Sequence, residues 1–175
     1  MVKKNNKGFS LIELIVTMAI MAIVVTGSVS IYQYVSTAKV RQATSYIGDE
    51  LTNTRVNTIS KEGNWRMRII VEDNHYYVEV LRNSKIYEKK DLGKVSDVTI
   101  KYDVTSSSGG VTVVSTNKEV KADPTTWPMV TYNSGSGAFM LGMYPGYVSR
   151  FEISNPRLTE EIILAKTTGK HYVKK

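Results

Sequence analysis

The spacing of hydrophobic and polar positions changes twice along this chain, and each change marks a different kind of structure. Residues 1–8 are polar and basic, whereas residues 9–31 are mostly Leu, Ile, Val, Met and Ala. At about 1.5 Å per residue, a helix over 9–31 would be about 35 Å long, and the hydrocarbon layer of a membrane is about 30 Å thick. The pattern therefore predicts a membrane-spanning helix behind a basic cytoplasmic flank.

The helical pattern continues beyond residue 31 as a stripe of apolar and small residues. The stripe recurs every three or four positions, as an amphipathic helix requires, and its members are Val40, Ala43, Ile47, Leu51, Thr54 and Thr58. No proline precedes Pro124, and Gly63 is the first strong helix-stopping residue. The sequence predicts one long helix over residues 9–61, with its second half lying under a globular domain.

From Asn64 onward the apolar residues alternate with polar ones, which is the spacing of β-strands. Asp73-Asn74 is a turn signal, so the first two strands are predicted to form a hairpin. Further strands are predicted around Ile86-Tyr87 and over Val98–Val104, Val111–Val114, Phe139–Met143, Val148–Ser154, Glu161–Lys166 and Lys170–Lys174. Residues 121–137 are predicted to be mostly loop. The expected fold class is α+β, in which the long helix packs against an antiparallel sheet or β-sandwich head over residues 64–175.

Composition narrows the kinds of site that the chain can carry. There is no cysteine among its 175 residues, which excludes disulfides, thiolate metal sites and a lipidated cysteine. The formal net charge is +7, of which Lys3, Lys4 and Lys7 supply three units. A surplus of this size suits a membrane face or a polyanion, but it does not identify either.

Three interpretations of residues 1–31 compete. A secretory signal peptide would be cleaved near Thr26-Gly27-Ser28 or Ser28-Val29-Ser30 and would release the head, but the helical stripe runs on past both positions. A plain membrane anchor would give no role to Glu13. A charge at the centre of a membrane helix costs on the order of 2.5–3.5 kcal/mol, and less near the end, so a chain that keeps one there usually provides a partner for it.

The third interpretation rests on four features that coincide within a few residues. The segment KGFSLIELIVTMAIMAIVV, residues 7–25, combines a basic leader, a Gly8-Phe9 junction, Glu13 and an uninterrupted apolar helix. It resembles the N-terminus of class III prepilins, the subunits of type IV pili, type II secretion pseudopili and competence pseudopili.

The resemblance implies a processing pathway and a location. The prepilin peptidase would cut after Gly8 and so remove the leader 1–8, the new N-terminal Phe9 would be N-methylated, and Glu13 would guide filament assembly. The chain would cross the cytoplasmic membrane once, with its N-terminus in the cytoplasm and its head outside, before entering an extracellular or cell-surface filament. Its partners would be the prepilin peptidase, sister pilins, the platform protein and the assembly ATPase.

Elementary electrostatics agrees with the role that the resemblance implies for Glu13. Once the leader is removed, the amine of Phe9 would be buried among packed helices, and the Glu13 carboxylate of a neighbouring subunit could compensate it. Removing one member of a buried ion pair typically costs about 3–5 kcal/mol, which would disfavour subunits out of register.

The subtype is indicated by weaker resemblances in the head. Arg55–Gly63 before a hairpin, Tyr132-Asn133-Ser134-Gly135 before a strand, and the closing Ile162–Lys170 resemble GspH/FimT-type minor pilins and pseudopilins, whose heads are β-sandwiches. Two departures count against an ordinary major pilin. Ser30 stands where many major pilins carry proline, and the paired cysteines of many Gram-negative pilins are absent. A divergent major pilin is the alternative subtype.

The C-terminal tail is basic, and its candidate DNA-binding residues are Lys166, Lys170, His171, Lys174 and Lys175. Some FimT-like and competence pilins bind DNA through basic loop or C-terminal residues, and phosphate contacts need only such cations. A solvated edge strand protected by lysine explains the same residues. A DNA-binding or adhesive module is therefore the alternative function.

Nothing in the sequence indicates an enzyme or a cofactor. His75 and His171 are the only histidines, no zinc spacing or calcium-binding carboxylate cluster is present, and no nucleophile motif or phosphate-binding loop occurs. We expect no catalytic residue, no metal and no cofactor.

Overall fold

The computed structural model describes residues 9–108, 111–140 and 146–174, and it describes side-chain surroundings in these ranges except at 26–32 and 107–117. The leader 1–8, with Gly8, and the terminal Lys175 lie outside the described residues. The elements in chain order are α1 Leu11–Ser60, β1 Trp65–Glu72, β2 His75–Arg82, β3 Lys85–Lys94, β4 Thr99–Ser108, β5 Val111–Glu119, β6 Met129–Thr131, β7 Tyr147–Ser154, β8 Thr159–Ala165 and β9 Lys170–Lys174.

Helix α1 contributes to two compact units, one that ends at Val35 and one that runs from Ser36 to the C-terminus. In the second unit, which we call the head, the predicted stripe is confirmed, because Val40, Ala43, Ile47 and Leu51 are completely buried. The helix ends just before Gly63, whose φ of 117° places it in a conformation that favours glycine.

The first sheet has the strand order β3-β2-β1-β6, and all its pairs are antiparallel. Both hairpins in it turn through two residues with positive φ: Asp73 and Asn74 at 48° and 61°, and Asn83 and Ser84 at 50° and 66°. Two left-handed residues are what a two-residue type I′ turn requires, and asparagine and aspartate tolerate that conformation best after glycine. The hairpin predicted at Asp73-Asn74 is confirmed.

The second sheet has the order β5-β4-β7-β8-β9 and is also antiparallel throughout. Residues of α1 and of both sheets form one hydrophobic core, in which Ile47, Met67, Ile100, Phe151 and Ile162 are fully buried. The predicted α+β class, a helix packed on antiparallel sheets, is confirmed.

In addition to the core, three polar contacts hold α1 to the sheets of the head. Asn155 Nδ2 donates to the Ser36 carbonyl at 2.8 Å, the Lys39 ammonium lies 2.6 Å from Asp97, and the Lys90 ammonium lies 2.7 Å from the buried carboxylate of Glu50. Hydrogen bonding to Lys39 lowers the pKa of Asp97 below its usual value. These contacts attach the helix to both sheets, because Asn155 follows β7 and Lys90 belongs to β3.

One prediction about residues 121–143 needs correction. The segment 121–137 is mostly loop, as predicted, and it also contains the short β6, whose central Val130 is buried and pairs with Met67. The strand predicted over Phe139–Met143 is reduced to a single bridge between Phe139 and Tyr132 in its described part, and residues 141–143 lie outside the described residues. Short elements flanked by Pro and Gly follow tertiary packing more than local pattern.

Candidate functional sites

Helix α1 begins with Ser10 as its N-terminal cap. The Glu13 backbone N–H donates to Ser10 Oγ at 3.3 Å, and the Leu14 N–H donates to the Ser10 carbonyl at 3.2 Å. A serine followed three positions later by glutamate is the pattern of a capping box, and a carboxylate in the first turn also complements the helix dipole. The Ser10 hydroxyl therefore caps the helix, and the Glu13 carboxylate lies in the first turn, where its charge complements the helix dipole.

The described side chains at the start of the chain are all exposed. Every residue from Phe9 to Val25 is exposed, including large apolar ones such as Phe9 and Leu11, both 79% accessible. Soluble monomers rarely expose a continuous apolar surface of this kind, and such a surface marks a place where lipid or protein packs. Within the residues searched, no helix is long and apolar enough to cross a membrane.

A second candidate site lies where the C-terminal half of α1 meets two loops of the head. Arg55 Nε donates to the Gly137 carbonyl at 3.1 Å, although the two residues are 82 positions apart. Gly137 and Gly169 are both buried, with φ of 65° and 62°. A Cβ built on Gly169 would lie only 1.6 Å from the Gly137 oxygen. We call this contact of Arg55, Gly137 and Gly169 the glycine junction.

Neighbouring contacts fix the glycine junction in place. The Tyr132 hydroxyl donates to the Leu51 carbonyl at 3.0 Å, and the Phe139 N–H donates to the Lys166 carbonyl at 3.0 Å. Burial raises the pKa of Tyr132, and the nearby charge of Arg55 opposes that rise. The structure thus brings together the three head segments singled out in the sequence: the helix end with Arg55, the loop after Tyr132, and the closing segment before Lys170.

The candidate DNA-binding residues of the tail do not form one surface. Strand β9 pairs with β8, and side chains alternate between the two faces of a strand, so Lys170 and Lys174 lie on one face and His171 on the other. His171 packs against α1, where its Nε2 lies 3.3 Å from the position of a Cβ built on Gly48.

Two other tail cations, Lys166 and Lys174, have side-chain neighbours. The Lys174 ammonium lies 3.9 Å from the Glu161 carboxylate. The Lys166 ammonium lies 5.3 Å from the ring centre of Tyr147. Lys175 falls outside the described residues. The acidic side chain of Glu161 therefore borders the exposed face that carries Lys170 and Lys174.

The free energy of unfolding of the head is expected to fall as the pH drops through the range in which histidine titrates. Burial lowers the pKa of His171, and the Asp49 carboxylate opposes this by raising it. In the unfolded chain the imidazole takes up a proton near about pH 6.5, while the buried ring stays neutral to lower pH, so protonation favours the unfolded state. The contribution is present above about pH 6.5 and is lost as the pH falls towards the folded-state pKa.

Thermal unfolding of the full chain, followed at about pH 7.5 and about pH 5.5, measures this effect. The His171→Gln variant should show a smaller difference in Tm between the two conditions than the unmodified chain. Asp97, whose pKa is also lowered, loses its contribution only near about pH 4 and so does not interfere. An unchanged difference in the variant would show that His171 is not responsible.

No metal centre emerges from the described residues, since none of their acidic and histidine side chains form a group of three that could hold an ion. His75 Nδ1 lies 2.9 Å from the Asp91 carboxylate on the exposed end of the first hairpin. Of the two histidines, His75 thus pairs with a carboxylate and His171 packs against Gly48.

Comparison with known proteins locates one family signature in the chain. Residues 3–29 match the model of the prokaryotic N-terminal methylation motif. No curated protein and no solved structure matches the chain. The chain therefore carries a class III prepilin-type signal, as predicted.

This signal supports a structural, non-enzymatic subunit of the type IV pilin or pseudopilin kind. It implies processing by the prepilin peptidase, attachment to the membrane and then assembly into a filament.

Proposed function

We propose that this chain is a structural subunit of a type IV filament, either a pilus or a pseudopilus, and that it assembles through its N-terminal helix. The observation that carries the proposal is the methylation motif at residues 3–29, which contains the apolar stretch Phe9 to Val25, whose side chains are all exposed. An apolar helix surface of this length needs a partner. The membrane before assembly and sister helices afterwards would each supply one.

In this proposal, three residues have different roles: Gly8, Phe9 and Glu13. The peptidase cuts after Gly8, Phe9 becomes the methylated N-terminus, and the Glu13 carboxylate meets the Phe9 amine of a neighbouring subunit. Residues 9–31 hold the precursor in the cytoplasmic membrane as a single pass with the head outside. The platform protein and the assembly ATPase then draw the subunit into the filament.

Fractionation of cells that express the full chain together with an assembly machinery tests the proposal. The mature chain is expected in the filaments released by shearing. If it stays entirely in the membrane fraction while another pilin of the same machinery reaches the filaments, the proposal is wrong.

We also propose the GspH/FimT-like minor subtype. Its support is the glycine junction, where Arg55 and Gly169, from two of the segments that resemble that group, meet Gly137, which follows the third segment, Tyr132–Gly135, by two residues. Quantitative mass spectrometry of sheared filaments should find the chain at a small fraction of the main subunit. Abundance equal to that of the main subunit would instead favour the divergent major pilin.

The tail does not favour the alternative of a DNA-binding module. His171 is turned towards α1, away from the face that carries Lys170 and Lys174, and Lys174 lies beside Glu161.

A further inference from the structure

Three cations lie where α1 ends and the β2–β3 turn begins: Lys61 and Arg82, which contact Trp65, and Lys85, which pairs with Arg82 across the turn. Within the described part of the chain, none of the three forms an ion pair. By contrast, two arginines on the sheets are ion-paired, with Arg68 at 2.7 Å from Glu79 and Arg150 at 2.7 Å from Asp103. The charges around Trp65 are therefore available to an external anion.

The Trp65 ring holds two of these cations, Lys61 and Arg82, in position. Trp65 is only 2% exposed, with the Lys61 ammonium 5.7 Å and the Arg82 guanidinium 5.5 Å from its ring centre. Cation–π contacts of this length restrict long side chains that would otherwise move freely. The Tyr87 ring meets Trp65 edge-on at 5.0 Å, yet 57% of Tyr87 remains exposed. We call Lys61, Trp65, Arg82, Lys85 and Tyr87 the Trp65 cluster.

Three members of the Trp65 cluster line a cleft. Its volume is about 320 Å³ and its lining residues are Arg82, Asn83, Lys85, Ile86 and Tyr87. Small-molecule sites in proteins begin at about 300 Å³. The cleft is built on a rigid turn, because Asn83 and Ser84 have positive φ and the Asn83 side chain accepts a hydrogen bond from the Asn64 N–H at 2.8 Å. Its geometry is set before any ligand arrives, which lowers the cost of binding.

The cleft combines two cations, an amide, an exposed aromatic ring and an aliphatic side chain in one place. Anionic groups pair with guanidinium and ammonium ions, and the apolar face of a sugar ring packs on an exposed tyrosine. A nucleic-acid strand instead needs a groove that follows its backbone over about 4–16 nucleotides. The cleft is confined to one hairpin turn, so it suits a compact charged ring better than a long strand.

We propose that the Trp65 cluster binds an anionic carbohydrate, a sugar ring that carries a carboxylate or phosphate. The anionic group lies between Arg82 and Lys85, and the ring packs on Tyr87. The ligand is either a free acidic sugar or one unit of an acidic polysaccharide. This site goes beyond the filament role and does not depend on it, because binding needs only the head of the full chain.

Calorimetric titration of the full chain in detergent tests the proposal with four probes: an oligogalacturonate of six sugars, galacturonic acid, neutral maltohexaose and the oligonucleotide dT6. Oligogalacturonate should bind, and maltohexaose should bind at least tenfold more weakly. Equal binding of galacturonic acid would identify a free sugar as the ligand, and weaker binding would identify the polymer. Equal binding of maltohexaose, tighter binding of dT6, or no binding of either acidic probe would overturn the proposal.

A matched pair of double variants tests whether the ligand binds at the Trp65 cluster. Lys85→Ala combined with Tyr87→Ala should weaken oligogalacturonate binding at least tenfold. The control is Lys170→Ala combined with Tyr172→Ala, which removes the same residue types at the same spacing from β9, where Tyr172 is also 57% exposed. An equal loss in both double variants, or no loss in the first, would contradict the assignment. If the first double variant does not fold, the single variant Lys85→Glu decides, since its side chain is exposed and reversal of its charge should abolish binding.

Discussion

Replacing Gly169 with alanine is expected to lower the free energy of unfolding of the head by about 3 kcal/mol or more. The reason is geometric, because the new Cβ would lie 1.6 Å from the Gly137 oxygen and 2.7 Å from the Gly137 carbonyl carbon. These are backbone atoms, and the oxygen also accepts the hydrogen bond from Arg55. The loop can yield only by giving up that bond. Denaturant unfolding of the full chain in detergent, followed by tryptophan fluorescence, measures the change.

Gly93→Ala is the matched control for this substitution. Gly93 also has a positive φ, of 113°, but nothing lies within 4 Å of a Cβ built on it. Alanine there should cost only the strain of the backbone conformation, on the order of 1–3 kcal/mol. If Gly169→Ala destabilised the head no more than Gly93→Ala, the close approach of the two loops would not exist in solution.

Glu13→Ala is expected to reduce entry of the chain into filaments by at least a hundredfold, while the precursor is still made and processed. Loss of one member of a buried ion pair costs about 3–5 kcal/mol, and about 1.4 kcal/mol corresponds to a factor of ten. The measurement is the ratio of filament-bound to membrane-bound chain after shearing. Incorporation at the wild-type level would show that the carboxylate does not guide assembly.

The position of Glu13 in the first turn of α1, next to the Ser10 cap, calls for two controls. Ser10→Ala removes the hydroxyl that accepts from the Glu13 N–H but keeps the carboxylate, so it should weaken the helix start by about 1 kcal/mol and leave assembly largely intact. Glu13→Gln keeps a side chain suited to a capping box but removes the charge. Assembly lost in Glu13→Gln and retained in Ser10→Ala would identify the charge as the cause. The reverse result would identify the cap.

Local patterns predict the elements of this fold well. The buried stripe from Val40 to Leu51, the end of the helix before Gly63, and the hairpin at Asp73-Asn74 all follow from residue spacing and turn chemistry. These features depend on interactions between residues close in the chain, or on one face being buried, and periodicity reports both.

Contacts between distant segments could not be predicted in this way. Nothing local to Gly137 or Gly169 shows that their backbones touch, because that contact depends on how two loops are placed by the sheet and the helix. The short β6 was missed because three residues beside Pro128 carry no periodic signal. His171 was grouped with the tail lysines because a run of charges does not reveal which face of an edge strand each residue occupies.

The candidate sites divide in the same way. Residues 3–29 carry a motif that can be recognised in the sequence itself, because Gly8, Phe9 and Glu13 lie close together in the chain. The Trp65 cluster could not be recognised, because Lys61, Trp65, Arg82 and Tyr87 come from three separate segments. Whether their charges are ion-paired is decided only by the fold. The Lys85-Ile86-Tyr87 run after a turn was the one sequence signal of that surface.

Mass spectrometry tests most directly whether the chain is processed as a class III prepilin. The chain is purified from cells with an active prepilin peptidase, and its intact mass and its N-terminal peptide are measured. If the chain is processed in this way, the mature protein begins at Phe9 and carries one methyl group on its N-terminal amine. The full precursor is expected to accumulate when the peptidase is absent. A mature N-terminus within residues 26–31, or an unprocessed chain beginning at Met1 in the presence of the active peptidase, would contradict this processing.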